Sequence, residues 1–238
     1  MKILKSIKEY IDSFLYLFYP ELCIVCNKND REVNDTFCLE CYSELPFTNQ
    51  TTIPKNQFIQ HFEGKIKIEH GAALFYFVKQ GIVQNIIQNL KYNDKPQYGV
   101  KMGEIFGYSI KDNSYFLNID MIVPVPLFKS KETARGYNQS LKFAEGISKV
   151  TSIPIVKNNL IRIRHTDTQT KMNRVQRLEN LYDAFSVLEP KTFENKHILI
   201  VDDVLTTGAT LLECGNQIMK VKKTKISMAT IAMGQQMS

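Results

Sequence analysis

The run Ile198-Leu199-Ile200-Val201 is followed at once by Asp202-Asp203 and then by Thr206-Thr207-Gly208-Ala209-Thr210, and no other feature constrains the chain as much. Four consecutive apolar residues leave no polar face. A strand built from them must be covered on both sides, which is the situation of a parallel sheet between helices. Carboxylates directly after such a run lie at the carboxyl end of a strand, where open α/β sheets bind ligands. The Thr-Thr-Gly-Ala-Thr turn leads into helical spacing over 209–221. Its free N–H groups and the helix dipole favour an anion there, and Gly208 allows close backbone approach.

The sequence around this segment repeats the alternation. Strands are expected over 66–78, 119–125, 153–163, 198–201 and 225–232, and helices over 82–90, 99–110, 138–149, 173–181 and 209–221. Short apolar runs separated by amphipathic helices predict an α/β domain with a parallel sheet and helices on both faces. With 44% hydrophobic and 23% charged residues the composition is that of a globular protein. A chain of 238 residues is long enough to bury roughly 70% of its unfolded surface without special cross-links.

The chemistry of the acidic segment is specific. Asp202 and Asp203 can accept hydrogen bonds from vicinal hydroxyls and help to hold a hard cation. Thr206, Thr207 and Thr210 add hydroxyl donors to the backbone amides of the turn. Diol acceptors beside a phosphate cradle describe a ribose 5-phosphate. The turn lacks the Gly-Lys-Ser/Thr ending of a Walker loop.

The cysteines define a second region. Cys23-x₂-Cys26 and Cys38-x₂-Cys41 are separated by eleven residues. Each CxxC turn aims two sulfurs at one point, so the pair predicts a tetrahedral Cys₄ zinc site, structural because no position is left for water. Disulfides or a redox pair are the alternative; a reducing, cytoplasmic compartment, expected because no export signal is recognisable, disfavours them. Cys214 lies in a helical stretch and is expected in the core. The polar segment 48–57 marks the expected boundary between a module over residues 1–57 and a domain over 58–238.

Ile3, Leu4, Ile7, Tyr10, Ile11, Phe14, Leu15 and Phe18 recur at helical spacing among charged residues. The run fits an amphipathic helix packed on the protein, or one lying on a membrane surface. Within it the apolar run Phe14 to Tyr19 is too short for a signal-peptide core and Asp12 interrupts anything longer, and no stretch reaches the ~20 apolar residues of a membrane span. The net charge of +6 is compatible with phosphates, with nucleic acid, or with a mildly basic solvated surface.

Ile198 to Thr210 resembles the thirteen-residue phosphoribosyl pyrophosphate motif of the type I phosphoribosyltransferases: four apolar residues, two acids, then Thr-Thr-Gly. Val123-Pro124-Val125-Pro126-Leu127, Arg135-Gly136-Tyr137-Asn138-Gln139, Leu90-Lys91-Tyr92 and the cysteine pairs together resemble the ComF family of late-competence proteins and the similar GntX-type proteins. The resemblance implies a type I phosphoribosyltransferase fold preceded by a small zinc-ribbon-like module. It implies that Asp202 and Asp203 hold the ribose hydroxyls and that Thr206, Thr207, Gly208, Ala209 and Thr210 cradle the 5-phosphate. Val125, Pro126 and Leu127 would form the pyrophosphate loop, although Pro124 and Pro126 offer no amides and could merely stiffen a strand end. Arg135 would clamp phosphate oxygens. Asn138 and Gln139 would contact ligand, with Asn138 equally suited to be an N-cap. Arg164, Lys171, Arg174 and Arg177 would belong to a lid over the site, or to a plain solvated loop and helix. Mg²⁺ would accompany the phosphoribosyl pyrophosphate.

Three functional readings follow. The chain is a phosphoribosyltransferase, a non-catalytic ribose-phosphate-binding protein serving DNA uptake, or a single-stranded DNA-binding accessory. A competence helicase and single-stranded DNA are the partners that the resemblance suggests. His165 and Tyr137 are candidates in principle for a general base.

Overall fold

The computed structural model describes residues 22–28, 36–163 and 184–234. The expected helices over 3–18 and 173–181 lie outside these residues, as do Arg164, His165, Lys171, Arg174 and Arg177. The chain divides into two units, residues 1–45 and residues 46–238.

In the first unit, Asn27 adopts a left-handed φ of 57° and donates its N–H to the Cys23 carbonyl at 2.9 Å, closing the first CxxC turn. The second turn opens the short helix α1 (Leu39–Ser43). Cys38 caps it, its sulfur accepting from the Cys41 amide at 3.5 Å.

The unit break falls earlier than the expected one after residue 57, and the reason is visible. Residues 46–56 are stitched to strand β1 (Gly71–Phe77) of the second unit. Phe47 bridges Phe75, the Thr48 amide donates to the Leu74 carbonyl at 3.1 Å, and the Ala73 amide donates to Gln50 Oε1 at 3.0 Å. Asn56 Nδ2 donates to the Gly71 carbonyl at 2.9 Å. β1 is an edge strand, and this polar segment satisfies backbone groups that would otherwise be unpaired.

The remaining elements of the second unit are α2 (Gln57–Phe62), α3 (Ile82–Tyr92), α4 (Pro96–Ile110), β2 (Met121–Pro124), α5 (Lys129–Arg135), α6 (Gln139–Thr151), β3 (Leu160–Arg162), β4 (Phe185–Val187), β5 (His197–Leu205), α7 (Ala209–Met219) and β6 (Lys225–Gly234). The main sheet has the order β1-β6-β5-β2, with every pair parallel. β5 and β6 are central and apolar on both faces, as the run 198–201 requires. Ile198 and Ile200 share one core cluster with Phe58 and Phe62 of α2 and with Cys214 and Ile218 of α7. Leu199 and Val201 alternate to the other face, where α6 packs on β5 and β2 and is backed by α4.

The α4–α6 contact is unusually close. A Cβ on Gly103 would strike the Phe143 carbonyl, and one on Gly146 would strike the Val100 carbonyl. Glycine at both positions lets the two backbones touch, and this contact sets the height of the α6 N-terminus above the sheet.

The expected strand over 153–163 does not form as one element. Pro154 can donate nothing to a ladder, and Asn158 has a φ of 62°. Ile155 makes a single bridge to Ile122 at the β2 edge, and β3 leaves the sheet to pair antiparallel with β4. Helix α5 was not anticipated. None of its residues is buried, so it carries no hydrophobic period.

Candidate functional site

β5 runs on to Leu205, so the two acids lie inside the strand rather than just after it. On one side β6 follows it to the end, pairing Asp202 with Thr230 and Leu205 with Met233. On the other side β2 stops. Pro124 pairs with Val201, the Val125 amide donates a last bond to the Val201 carbonyl at 2.9 Å, and Pro126 has no N–H to continue. β5 therefore projects past its neighbour, and a crevice opens beside Asp202 and Asp203.

Asp202 is enclosed by protein but keeps a face on the crevice. Its Oδ1 accepts from Ser140 Oγ at 2.8 Å and from the Asp203 amide at 2.9 Å. Burial, and then the negative charge of Asp203, push its carboxyl up to about 7 despite these donors. Asp203 is paired, its Oδ2 lying 2.8 Å from Lys91 Nζ at the end of α3. Burial works against the Lys91 ammonium, but Asp203 outweighs it and the lysine is held above its usual range.

The turn after β5 is fixed from below. Gly208 has a φ of 72° and caps α7, and a Cβ there would sit 2.7 Å from His61 Nε2. The His61 Nε2–H donates to the Thr207 carbonyl at 2.9 Å. That bond engages the Thr207 carbonyl directly before the first turn of α7. Asp202 and residues 204–211 line one shallow open pocket, so Thr206, Thr207, Gly208, Ala209 and Thr210 are gathered around one space.

The segment 135–140 meets β5 at Asp202 through Ser140. Asn138 caps α6: its Oδ1 accepts from the Ser140 and Leu141 amides at 2.9 and 3.4 Å, and its Nδ2 donates to the Val125 carbonyl at 2.9 Å. Its side chain is thus committed to the fold, as the N-cap alternative anticipated. Val125 has both backbone groups engaged, which leaves the amides beyond Pro126, beginning with Leu127, as donors from that turn. Gln139 is buried and accepts from Arg135 Nη1 at 3.0 Å, while its Nε2 has no partner. Arg135 lies over the Tyr92 ring, 5.4 Å from its centroid. Tyr137 Oη donates to the Leu90 carbonyl at 2.7 Å, an anchoring role rather than that of a base aimed into the crevice.

Comparison with known proteins gives the family. The phosphoribosyl transferase domain family matches residues 91–236. The chain belongs to the phosphoribosyl transferase family. Within it the chain is ComF-like. It is 26% identical to competence protein F of Haemophilus influenzae over 224 residues, covering 90% of this chain and 98% of that protein. It is 34% identical over 101 residues to the DNA utilization protein YhgH of Escherichia coli K12, covering 42% of this chain and 44% of that protein. It is 32% identical over 93 residues to competence protein ComFC of Bacillus subtilis, covering 38% of this chain and 35% of that protein. Asp202, Asp203 and the 206–210 turn fall inside the matched domain.

Ser140, Lys91 and His61 contact Asp202, Asp203 and Thr207 respectively, although the sequence did not assign them to the candidate site. Only Lys91 carried a signal, its place in Leu90-Lys91-Tyr92. The other two become visible only when α6 and α2 are folded against β5.

In the first unit Cys23, Cys26, Cys38 and Cys41 bring their sulfurs within 4.8 Å of one another. Zn–S bonds of about 2.3 Å in a tetrahedron place sulfurs about 3.8 Å apart, and Cys26 Sγ lies 3.7 Å from Cys38 Sγ. The donor set therefore fits a metal such as zinc. Burial raises the Cys23 thiol, but the amides of Cys26, Cys38 and Val25 outweigh it and hold it at about 6, whereas burial and the neighbouring sulfurs push Cys41 up, so the four sulfurs share their protons unequally until a metal takes their place. Among the described residues no helix is long and apolar enough to cross a membrane.

Proposed function

We propose that the crevice beside β5 binds phosphoribosyl pyrophosphate with Mg²⁺ and that the protein transfers the phosphoribosyl group. What supports this reading is Asp202 in the lining of the pocket around 206–210, with Asp203 next to it in β5 and paired with Lys91, within a phosphoribosyl transferase domain. The first-turn amides of α7 and the hydroxyls of Thr206, Thr207 and Thr210 receive the 5-phosphate. Asp203, with Asp202 as its hydrogen-bonded neighbour, accepts from the ribose hydroxyls and stabilises positive charge developing on the ring. The amide of Leu127 and the Arg135 fork meet the pyrophosphate. Mg²⁺ bound to that pyrophosphate would neutralise the leaving group. The bond between the anomeric carbon and the pyrophosphate oxygen breaks as an acceptor nucleophile attacks, and pyrophosphate departs.

The four cysteines hold a structural zinc in this reading. The names of the relatives point to DNA uptake as the setting, and the ComF resemblance suggests a helicase and single-stranded DNA as companions. Cells carrying Asp202→Asn/Asp203→Asn should then lose transformation efficiency.

Calorimetric titration with phosphoribosyl pyrophosphate, with and without Mg²⁺, tests the site. Micromolar, Mg²⁺-dependent binding is expected, and it should vanish in the double variant. Absence of heat with folded, zinc-loaded protein refutes the reading. Release of pyrophosphate in the presence of nitrogenous acceptors then tests transfer.

A further inference from the structure

The roles above leave the enclosed charge of Lys91 unused. Lys91 Nζ sits 2.8 Å from Asp203 Oδ2, with side chains only 23% and 14% exposed. It is held there, because the last turn of α3 is tied down by the 2.7 Å bond from Tyr137 Oη to the Leu90 carbonyl. Arg135 stands nearby over Tyr92 and bonds Gln139 at 3.0 Å, and its charge opposes the Lys91 ammonium. Two cations from different elements therefore converge on one end of the acidic pair. Against them stand Asp203 and an Asp202 whose carboxyl is only partly ionised near neutral pH.

We propose that Lys91 is a diphosphate ligand of this site, acting as the counter-ion of Asp203 until the diphosphate arrives. The ammonium is a compact charge on a flexible stem, whereas the Arg135 fork is stacked and fixed. Lys91 can leave Asp203 for the diphosphate oxygens with a rotation of its own stem. Doing so closes a two-cation clamp with Arg135 and frees the Asp203 carboxylate for the ribose hydroxyls. Capture of the diphosphate and exposure of the sugar's acceptor thus become one event. A sugar phosphate without diphosphate must compete with Lys91 for Asp203 and binds at a disadvantage. The inference rests on the phosphoribosyl pyrophosphate reading of the crevice.

The test is calorimetry on the full chain with two separate ligands, Mg²⁺-pyrophosphate and ribose 5-phosphate. For Lys91→Met, pyrophosphate affinity should fall by about 10- to 100-fold, the range for one charge-assisted contact. Ribose 5-phosphate affinity should hold or rise. Lys91→Gln, which keeps a hydrogen bond to Asp203 without the charge, should show the same selective loss and serves if the methionine variant does not fold. Equal loss for both ligands would mean that Lys91 only positions Asp203, and no loss for either would mean that it is a bystander; both overturn the proposal. A wild-type chain that binds neither ligand removes the underlying reading and this inference with it, an outcome recognised before any variant is made.

Discussion

Replacing Asp202 by asparagine isolates the electrostatic cost built into the crevice. In the folded chain its carboxyl stands at about 7 rather than the ordinary 3.8, chiefly through burial and secondly through Asp203. Between those two values the folded protein holds a proton that the unfolded chain has lost. Stability from this group is therefore full below about pH 4 and declines as pH rises to about 7, after which the loss is constant. At about 1.4 kcal/mol for each tenfold step in proton affinity, the full difference is on the order of 4 kcal/mol. The face that Asp202 keeps on the crevice lowers this by solvent screening to about 2–4 kcal/mol. Asparagine presents the same oxygen to Ser140 Oγ and the Asp203 amide, yet cannot ionise. Its new amide N–H groups add a pH-independent penalty of roughly 1–3 kcal/mol if one is left unpaired, so the slope rather than the offset is diagnostic. Urea unfolding of metal-loaded wild type and Asp202→Asn, followed by circular dichroism at pH 5, 6, 7 and 8, measures it. The variant should gain on the wild type with rising pH. His70 and His197, which burial holds below their usual range, lose stability on acidification in both chains and cancel in the difference. Parallel pH curves for the two chains would refute the assignment of a raised carboxyl to Asp202.

Three further outcomes are expected. Gly146→Ala should cost about 3 kcal/mol or more by calorimetric unfolding, because the new Cβ meets the Val100 carbonyl and the Gly103 Cα; ligand binding should suffer too, since α6 carries Ser140. Gly208→Ala should cost about 1–2 kcal/mol for the left-handed backbone, plus a steric part against His61 Nε2 at 2.7 Å. Adding His61→Ala should recover only the steric part, so a double-mutant cycle by thermal unfolding should be non-additive. Elemental analysis should find about one zinc per chain, falling towards zero in Cys26→Ser, while the second unit keeps its ligand affinity.

Much of the site was legible in the chain because it is local. Asp202, Asp203 and the 206–210 turn are one strand-turn-helix, and a contiguous segment shows its chemistry directly. The CxxC pairs are legible for the same reason, since two sulfurs on one short turn need no distant partner. The expected strand over 153–163 failed because apolar content does not reveal which edge a segment can reach, and Pro154 and Asn158 decided that. The charged helix α5 had no apolar stripe to announce it.

The sequence by itself determined that a fully apolar run is followed by two acids and a Thr-Thr-Gly turn into a helix, and that four cysteines can share a metal. Only the tertiary structure decided how those acids are charged. Lys91 comes from a helix more than a hundred residues earlier in the chain, Ser140 from the N-terminus of α6, and the burial that raises Asp202 from the layer those helices build. The pairing of Lys91 with Asp203 depends on α3 being tied to Tyr137, and the height of α6 depends on Gly103 and Gly146 letting two backbones meet. A proton's affinity or an ion pair is set by distances of a few ångströms between remote segments, and such distances exist only once the sheet and its helices have closed around them.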